Sequence, residues 1–342
     1  MKKLVTVMAF AAVLSVPSVV FAEASWYGSL RTGVDSSDGN VSVKDSGSRW
    51  GIQGSSEVGE GLKAIYRFEQ EISTPDAGQP GGRLSYVGLS GGFGSVTVGK
   101  IWSASYNSVG VITDNSYHSG DSQTSLRHGN AISYAFSNDL MALQVDAVFR
   151  GANDNAYGKD DDLEKVEFGL SVNLGEIGKV AVSSVDNKDT FDPAILDQPH
   201  QTLDDTKEGV KSTTAAAEVY VGNLTVYVGS QKTVTAVSLA GTNTDLNDIS
   251  EDTRKTTFIG IRGGIGDTGI DYVFQWRKIK DTEAPLRSSN PKPWSLGLGK
   301  SLGGGASIYL EHANSDGIVY RPFADSYGDP DKTTRVTLQV DF

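Results

Sequence analysis

The chain has 342 residues, 38% of them hydrophobic, with 30 Lys+Arg against 42 Asp+Glu and no cysteine. A formal charge of −12 argues against nonspecific nucleic-acid binding, and the missing thiols exclude disulfides, thiolate metal sites, iron–sulfur clusters and a cysteine nucleophile. Beyond the extreme N-terminus no apolar run is long enough for a spanning helix, which excludes a helical membrane protein but not a membrane β-barrel, whose strands are only half apolar.

The N-terminus reads as an export signal over residues 1–22. Lys2 and Lys3 form a basic start, Leu4 to Val20 is nearly all apolar, and Val20-Phe21-Ala22 places small residues at the cleavage positions. The remaining unit is 23–342, and losing Lys2 and Lys3 takes its formal charge to −14. An exported protein has little access to ATP or NAD, and no cofactor is expected.

From residue 23 onward the hydrophobic period is two. Between Lys165 and Leu174, Val166, Phe168, Leu170, Val172 and Leu174 fall on one face, and Glu167, Gly169, Ser171 and Asn173 on the other. The final ten residues repeat this, with Val336, Leu338, Val340 and Phe342 opposite Arg335, Thr337, Gln339 and Asp341. Such alternation predicts strands with two unlike faces. The connections alternate as well. Short, mostly Gly-rich turns are predicted near 58–61, 91–94, 137–139, 175–178, 221–223, 263–269 and 303–305. Long polar loops are predicted near 35–47, 73–82, 102–128, 151–164, 187–210, 232–253, 280–292 and 316–332.

Seven turns and eight loops imply sixteen strands of about ten residues each. The fold class is therefore all-β: a 16-stranded antiparallel transmembrane β-barrel with short periplasmic turns and long extracellular loops. Closure leaves no open sheet edge for lipid to meet. A soluble sandwich explains the period of two but not the regular short and long alternation. Trp26, Trp50, Tyr66, Phe68, Tyr86, Tyr134, Phe136, Phe168, Tyr272, Phe274, Trp276 and Trp294 are assigned to the apolar, lipid-facing parity, where aromatics form interfacial girdles.

If the apolar parity faces lipid, Arg31, Arg49, Lys63, Arg67 and Arg83 face the lumen from four consecutive strands and form a basic wall. A charge at mid-depth on the lipid side would cost about 2–4 kcal/mol. Loop three, 102–128, is long, small and polar, with Asp114 and Asp121 as its notable acids. Folded into the lumen, it would narrow the path and set its carboxylates across from the basic wall. Opposed charges across a narrow wet path sort solutes by charge and dipole, with no covalent step. Loops four and five are the most acidic, with Asp154, Asp160, Asp161, Asp162, Glu164, Asp189, Asp192, Asp197, Asp204, Asp205 and Glu208. These carboxylates suit solvation, or divalent cations bridging to anionic lipopolysaccharide.

Other chemistry finds little support. Gly94 to Lys100 approaches a P-loop, but Ile101 stands where a hydroxyl is needed and Val96 and Val98 alternate as strand. His118, His128, His200 and His312 lie in no nucleophile motif, His118 and His128 make a weak metal pair, and no metal site is assigned.

Three segments carry a family resemblance: Ala24 to Val34, Glu57 to Gln70 and Arg83 to Lys100, together with the terminal aromatic Phe342. They resemble the general diffusion porins of Gram-negative outer membranes, of the neisserial and β-proteobacterial type. The resemblance implies a homotrimer of barrels, each with its own water-filled pore, and a third loop folded inward. By the same resemblance Arg31, Arg49, Lys63, Arg67 and Arg83 line the pore wall, and Asp114 and Asp121 sit on the constricting loop. The expected function is passive diffusion of small hydrophilic solutes and ions, with outer-membrane lipid and lipopolysaccharide as neighbours and no nucleic-acid partner. A substrate-specific channel, and an outer-membrane hydrolase or adhesin on a barrel scaffold, are the alternatives.

Overall fold

The computed structural model describes residues 23–37, 39–76, 81–115, 126–149, 163–187, 207–238, 249–281, 292–314 and 332–342. The expected export signal, 1–22, lies outside them. The strands are β1 (Glu23–Ser37), β2 (Asn40–Asp45), β3 (Arg49–Gly59), β4 (Leu62–Glu71), β5 (Gly82–Gly91), β6 (Gly94–Trp102), β7 (Arg127–Ser137), β8 (Met141–Phe149) and β9 (Leu163–Asn173). They continue as β10 (Gly178–Asn187), β11 (Lys207–Val221), β12 (Leu224–Ser238), β13 (Ile249–Gly264), β14 (Ile270–Asp281), β15 (Trp294–Gly303), β16 (Ala306–Asn314) and β17 (Lys332–Asp341). Each pairs antiparallel with its neighbours, and β1 closes on β17 from Ser29 opposite Asp341 to Ser37 opposite Thr333.

Seventeen segments make sixteen staves, because β2 and β3 are one stave with a bulge. Thr32 faces Asp45 while Ser29 faces Arg49, so one extra residue lies on the second stave. Gly47, at φ +86°, makes the bend, and the Asp45 carboxylate accepts the Gly47 and Ser48 amides at 2.7 and 3.0 Å. The extra residue flips the parity, so Lys44 above it and Arg49 below it both face inward. A second bulge sets Glu69 opposite Leu84 and Gln70 opposite Gly82, leaving Arg83 as the added residue.

The outward parity is apolar and exposed: Trp26 is 68% exposed and Val41 71%, with Val87, Ile132, Val228, Ile259, Leu296 and Leu338 on the same surface. The inward parity is polar, as in Ser133 opposite Asp146 and Asp146 opposite Glu167. All seven predicted short turns are present. Three of the predicted loops are shorter than expected. The region 35–47 is largely a hairpin of β1 and β2, and β10 to β13 extend into 187–210 and 232–253. Strands run from 6 to 16 residues rather than about ten. Where strands project beyond lipid both faces are wet, so their polar residues read as loop. Tyr86 corrects the aromatic assignment. It stands opposite Arg67 and packs against buried Ile101, Ala131 and Val148, on the inner side.

The closing seam depends on one close approach. The Phe342 amide and carbonyl bond Gly28 at 3.1 and 2.8 Å, and a Cβ on Gly28 would lie 2.3 Å from the Phe342 ring. Gly28→Val is therefore expected to overpack the seam at a cost of about 1–3 kcal/mol. Heat-modifiable migration on gels should show less folded barrel, while Leu30→Ile on the same outward face should leave it unchanged.

Candidate pore constriction

Arg31, Arg49, Arg67 and Arg83 share one patch of the inner wall. Glu69, 1% exposed, holds two of them: Arg83 Nε donates to Oε1 at 2.6 Å and Arg67 Nη2 to Oε2 at 3.0 Å. Tyr27 joins the cluster, its hydroxyl donating to Glu69 Oε2 at 2.9 Å and accepting from Arg67 Nε at 2.7 Å. Two cations thus share one carboxylate.

Arg31 and Arg49 are different. Arg31 Nε donates to Ser29 Oγ at 3.0 Å and Arg49 Nη1 to the Gly47 carbonyl at 3.2 Å. Neither has an ion pair among the described residues. Arg49 lies within electrostatic reach of Arg31 and Arg83, with Glu69 and then Asp341 as the nearby opposite charges. Lys63 shares their parity but sits beside the Glu60–Gly61 turn, four residues from Arg67. At 3.3 Å per residue that is about 13 Å away, at the short-turn mouth.

Arg127 belongs to this wall, although it falls within the expected loop 102–128. Its guanidinium lies 4.3 Å over the Trp102 ring, its Nε is buried without an acceptor among the described residues, and Arg83 is within electrostatic reach. The signal was a Trp and an Arg flanking loop three, and they prove to be cross-strand partners.

The described part of loop three folds into the lumen as expected. Residues 104–113 form a short helical run, with a π-type turn at Tyr106–Gly110 leading into Val111–Thr113. The first amides of a helix have no partner within it and carry its positive end. Wall carboxylates meet that need: the Ala104 amide donates to Asp146 Oδ2 at 2.7 Å and the Ser105 amide to Glu167 Oε1 at 2.6 Å. The other Glu167 oxygen lies 2.6 Å from His128 Nε2, and Gln144 bridges the Trp102 carbonyl and Asp146, each at 2.9 Å.

His128, Asp146 and Glu167 bring their ligating atoms within 4.8 Å of one another. The two carboxylates are engaged by the loop amides, so the cluster works as a fastening. Gly169 leaves room for it, since a Cβ there would lie 2.2 Å from the Ala104 carbonyl oxygen. Further along, Val109 and Ile112 pack on Ala181, Ala216, Tyr227 and Phe258. At the far end Asn115 accepts from Arg262, whose other nitrogen donates to Glu218 at 2.6 Å.

Asp114 lies on this docked segment, hydrogen-bonded to Tyr106, while Asp121 lies outside the described residues. Burial pushes the Asp114 carboxyl above its ordinary range, and the Tyr106 bond only partly offsets that. Tyr106 stacks on Trp102 at 4.5 Å and lies within electrostatic reach of Arg127 and Arg49. Tyr106 on the loop thus faces Arg49 and Arg127 on the wall, with Asp114 bonded to it from the same segment. Beneath the loop, towards the short turns, a cavity of about 430 Å³ is lined by Ser90, Ser95, Asn107, Ser137 and Gln144.

Two outcomes are expected. Because Asp114 titrates above an ordinary aspartate, the folded state holds its proton more tightly than the unfolded chain. Docking of the loop then strengthens as pH falls through that window and weakens as pH rises. Anion preference in bilayer recordings should rise over the same window, and Asp114→Asn should abolish that step. His128→Ala removes one hydrogen-bond partner of the buried Glu167 carboxylate, which keeps the Ser105 amide, a loss of about 1–3 kcal/mol. It should give larger, noisier single-channel currents, whereas an unchanged current would show that the fastening does not hold the loop.

Comparison with known proteins agrees with this architecture. A family model described as Gram-negative porin matches residues 6–317. The major outer membrane protein P.IB of Neisseria meningitidis serogroup A is 34% identical over 116 residues, which is 30% of this chain and 34% of that protein. The chain thus matches about a third of the length of these curated relatives. Among solved structures, the trimer form of OmpT from Vibrio cholerae has a TM-score of 0.69 at 17% identity, covering 94% of this chain and 99% of that one. The anion-selective porin from Comamonas acidovorans has a TM-score of 0.68 at 15% identity, covering 94% and 100%. With the family model spanning most of its length and its strands closed into a sixteen-stave barrel, the chain belongs to the Gram-negative porin family of the outer membrane.

Proposed function

We propose that the protein is a passive channel for small hydrophilic solutes and ions, sorted by the field between loop three and the arginine wall. The observation that carries this is the pair Arg31 and Arg49. Both project into the lumen without an ion pair among the described residues, on the wall facing a loop fastened at both ends of its described segment. A buried structural arginine would need a carboxylate, whereas an arginine in a wet pore keeps its charge available to passing anions.

The roles of Arg31, Arg49, Arg67, Arg83 and Asp114 in the narrow zone, and of Lys63 at the mouth, are part of this reading. So is Asp121, as a second acid on the constricting loop. The narrow zone favours anions, and the anion-selective Comamonas porin of the same fold supports that sign. Transport needs no covalent step. The His128–Glu167 pair is 4% and 0% exposed, which suits a fastening rather than a catalytic base.

Residues 1–22 act as the export signal on this reading. The assembly is a homotrimer, supported by the trimeric form of the Vibrio protein. Purified protein in planar bilayers should show step-like conductance with closures in threes. Under a salt gradient, Arg31→Gln with Arg49→Gln should move the reversal potential towards cations at nearly constant conductance. A protein that inserts but does not conduct would refute the reading.

A further inference from the structure

The outer face carries a row of charges that permeation does not use. Lys232 on β12, Lys255 on β13 and Lys280 on β14 stand directly opposite one another, in line across three adjacent staves. Lys278 lies one step below, opposite Thr257. Their parity is that of Val228, Ile259 and Phe274, which are 47%, 46% and 37% exposed, so they point away from the lumen. Lys232, Lys255 and Lys280 are exposed, and none of the four lysines has a hydrogen bond or ion pair among the described residues. Lys211 on β11 extends the row but is matched by Asp186 at 3.8 Å.

Like charges directly opposite on a sheet repel, so three in register is an arrangement that calls for an outside anion. Depth says which one. Lys232 is eight residues beyond Leu224, where β12 leaves its short turn. At about 3.3 Å per residue and a tilt of about 40°, it stands roughly 20 Å above that turn. An apolar band of about 25 Å would therefore end near it. Val226, Val228, Ile259, Ile261, Tyr272 and Phe274 fill the face below, and Trp276 marks its upper limit.

We propose that this lysine row binds the headgroup phosphates of a phosphorylated glycolipid in the leaflet on the long-loop side, with the acyl chains lying on the apolar face beneath. Outward lysines elsewhere towards the long-loop end are single: Lys100 on β6, opposite Ser85, donates to the Gly82 carbonyl at 2.6 Å, and Lys332 on β17 stands opposite Asn314. Three in register mark β12 to β14 among the described residues. The site is independent of loop carboxylates bridged by divalent cations, because ammonium groups meet phosphate directly.

The test uses delipidated full-length barrel in detergent, titrated with purified lipopolysaccharide, with the same material after enzymatic dephosphorylation, and with zwitterionic phosphatidylethanolamine. Binding is read by native mass spectrometry. Phosphorylated lipopolysaccharide should bind most tightly, weaken with salt and persist in chelator. Each lysine exchanged for glutamine among Lys232, Lys255 and Lys280 should weaken it about fivefold. The triple arginine variant should retain binding and control for folding. Lys300→Gln, outward near the short turns of β15, should change nothing. Equal binding by the triple glutamine variant and the parent, or by dephosphorylated and phosphorylated lipid, would overturn the proposal. Loss in chelator would also overturn it and assign the lipid to bridged carboxylates. Every variant should conduct like the parent, so failure here is distinct from failure of the channel reading.

Discussion

Hydrocarbon offers no hydrogen bonds, and this constraint shapes the whole molecule. Each backbone amide and carbonyl at membrane depth must find a partner within the sheet, and only a closed sheet gives one to every strand. The pairing of β1 with β17 is therefore the contact on which everything else depends. Once it forms, the sheet has an inside and an outside, and the period of two separates the chain into a greasy parity and a wet one. Charges on the wet parity remain solvated, so an arginine-rich wall is stable there. The same charges on the other parity would meet lipid.

The wet interior also explains how a loop can be held inside a barrel. A helical run entering the lumen brings unpaired amides at its start, and Asp146 and Glu167 accept them. Its apolar side meets Tyr227 and Phe258, which are fully buried. Fastened at the Ala104 end by carboxylates and at the Asn115 end by Arg262, the segment faces the arginines from a fixed position. The field across the lumen is then a property of packing rather than of chance loop geometry.

Much of this was legible in the chain itself, and the reasons differ by element. Val166 to Val172 and Val336 to Val340 declare their faces, because lipid and water ask for opposite residues. The turns declare themselves through glycine. The inward placement of Arg31 and Arg67 follows from the same parity. Arg49, next to outward Trp50, follows in the same way, whereas Arg83 needs the bulge at its own position, which a simple count of alternate residues does not show. Tyr86 was placed outside for the same reason. The helical run in loop three left almost no periodic trace, since Ser103, Ala104, Ser105 and Ser108 are small and their partners lie far away in sequence. The lysine row appears only when β12, β13 and β14 are set side by side, because register is a property of pairs of strands. Asp121 and most of the acidic residues of loops four and five lie outside the described residues.

The absence of cysteine allows the central claim to be measured directly. Single cysteines introduced at Gln53 and Thr97 on the inner parity, where neither residue is buried, and at Ile52 and Val98 on the outer, are exposed in membranes to a charged, water-soluble thiol reagent. The account requires rapid labelling at Gln53→Cys and Thr97→Cys and protection at Ile52→Cys and Val98→Cys. Equal labelling of neighbouring positions, or protection of the inner pair, would contradict a closed cylinder with a water-filled core.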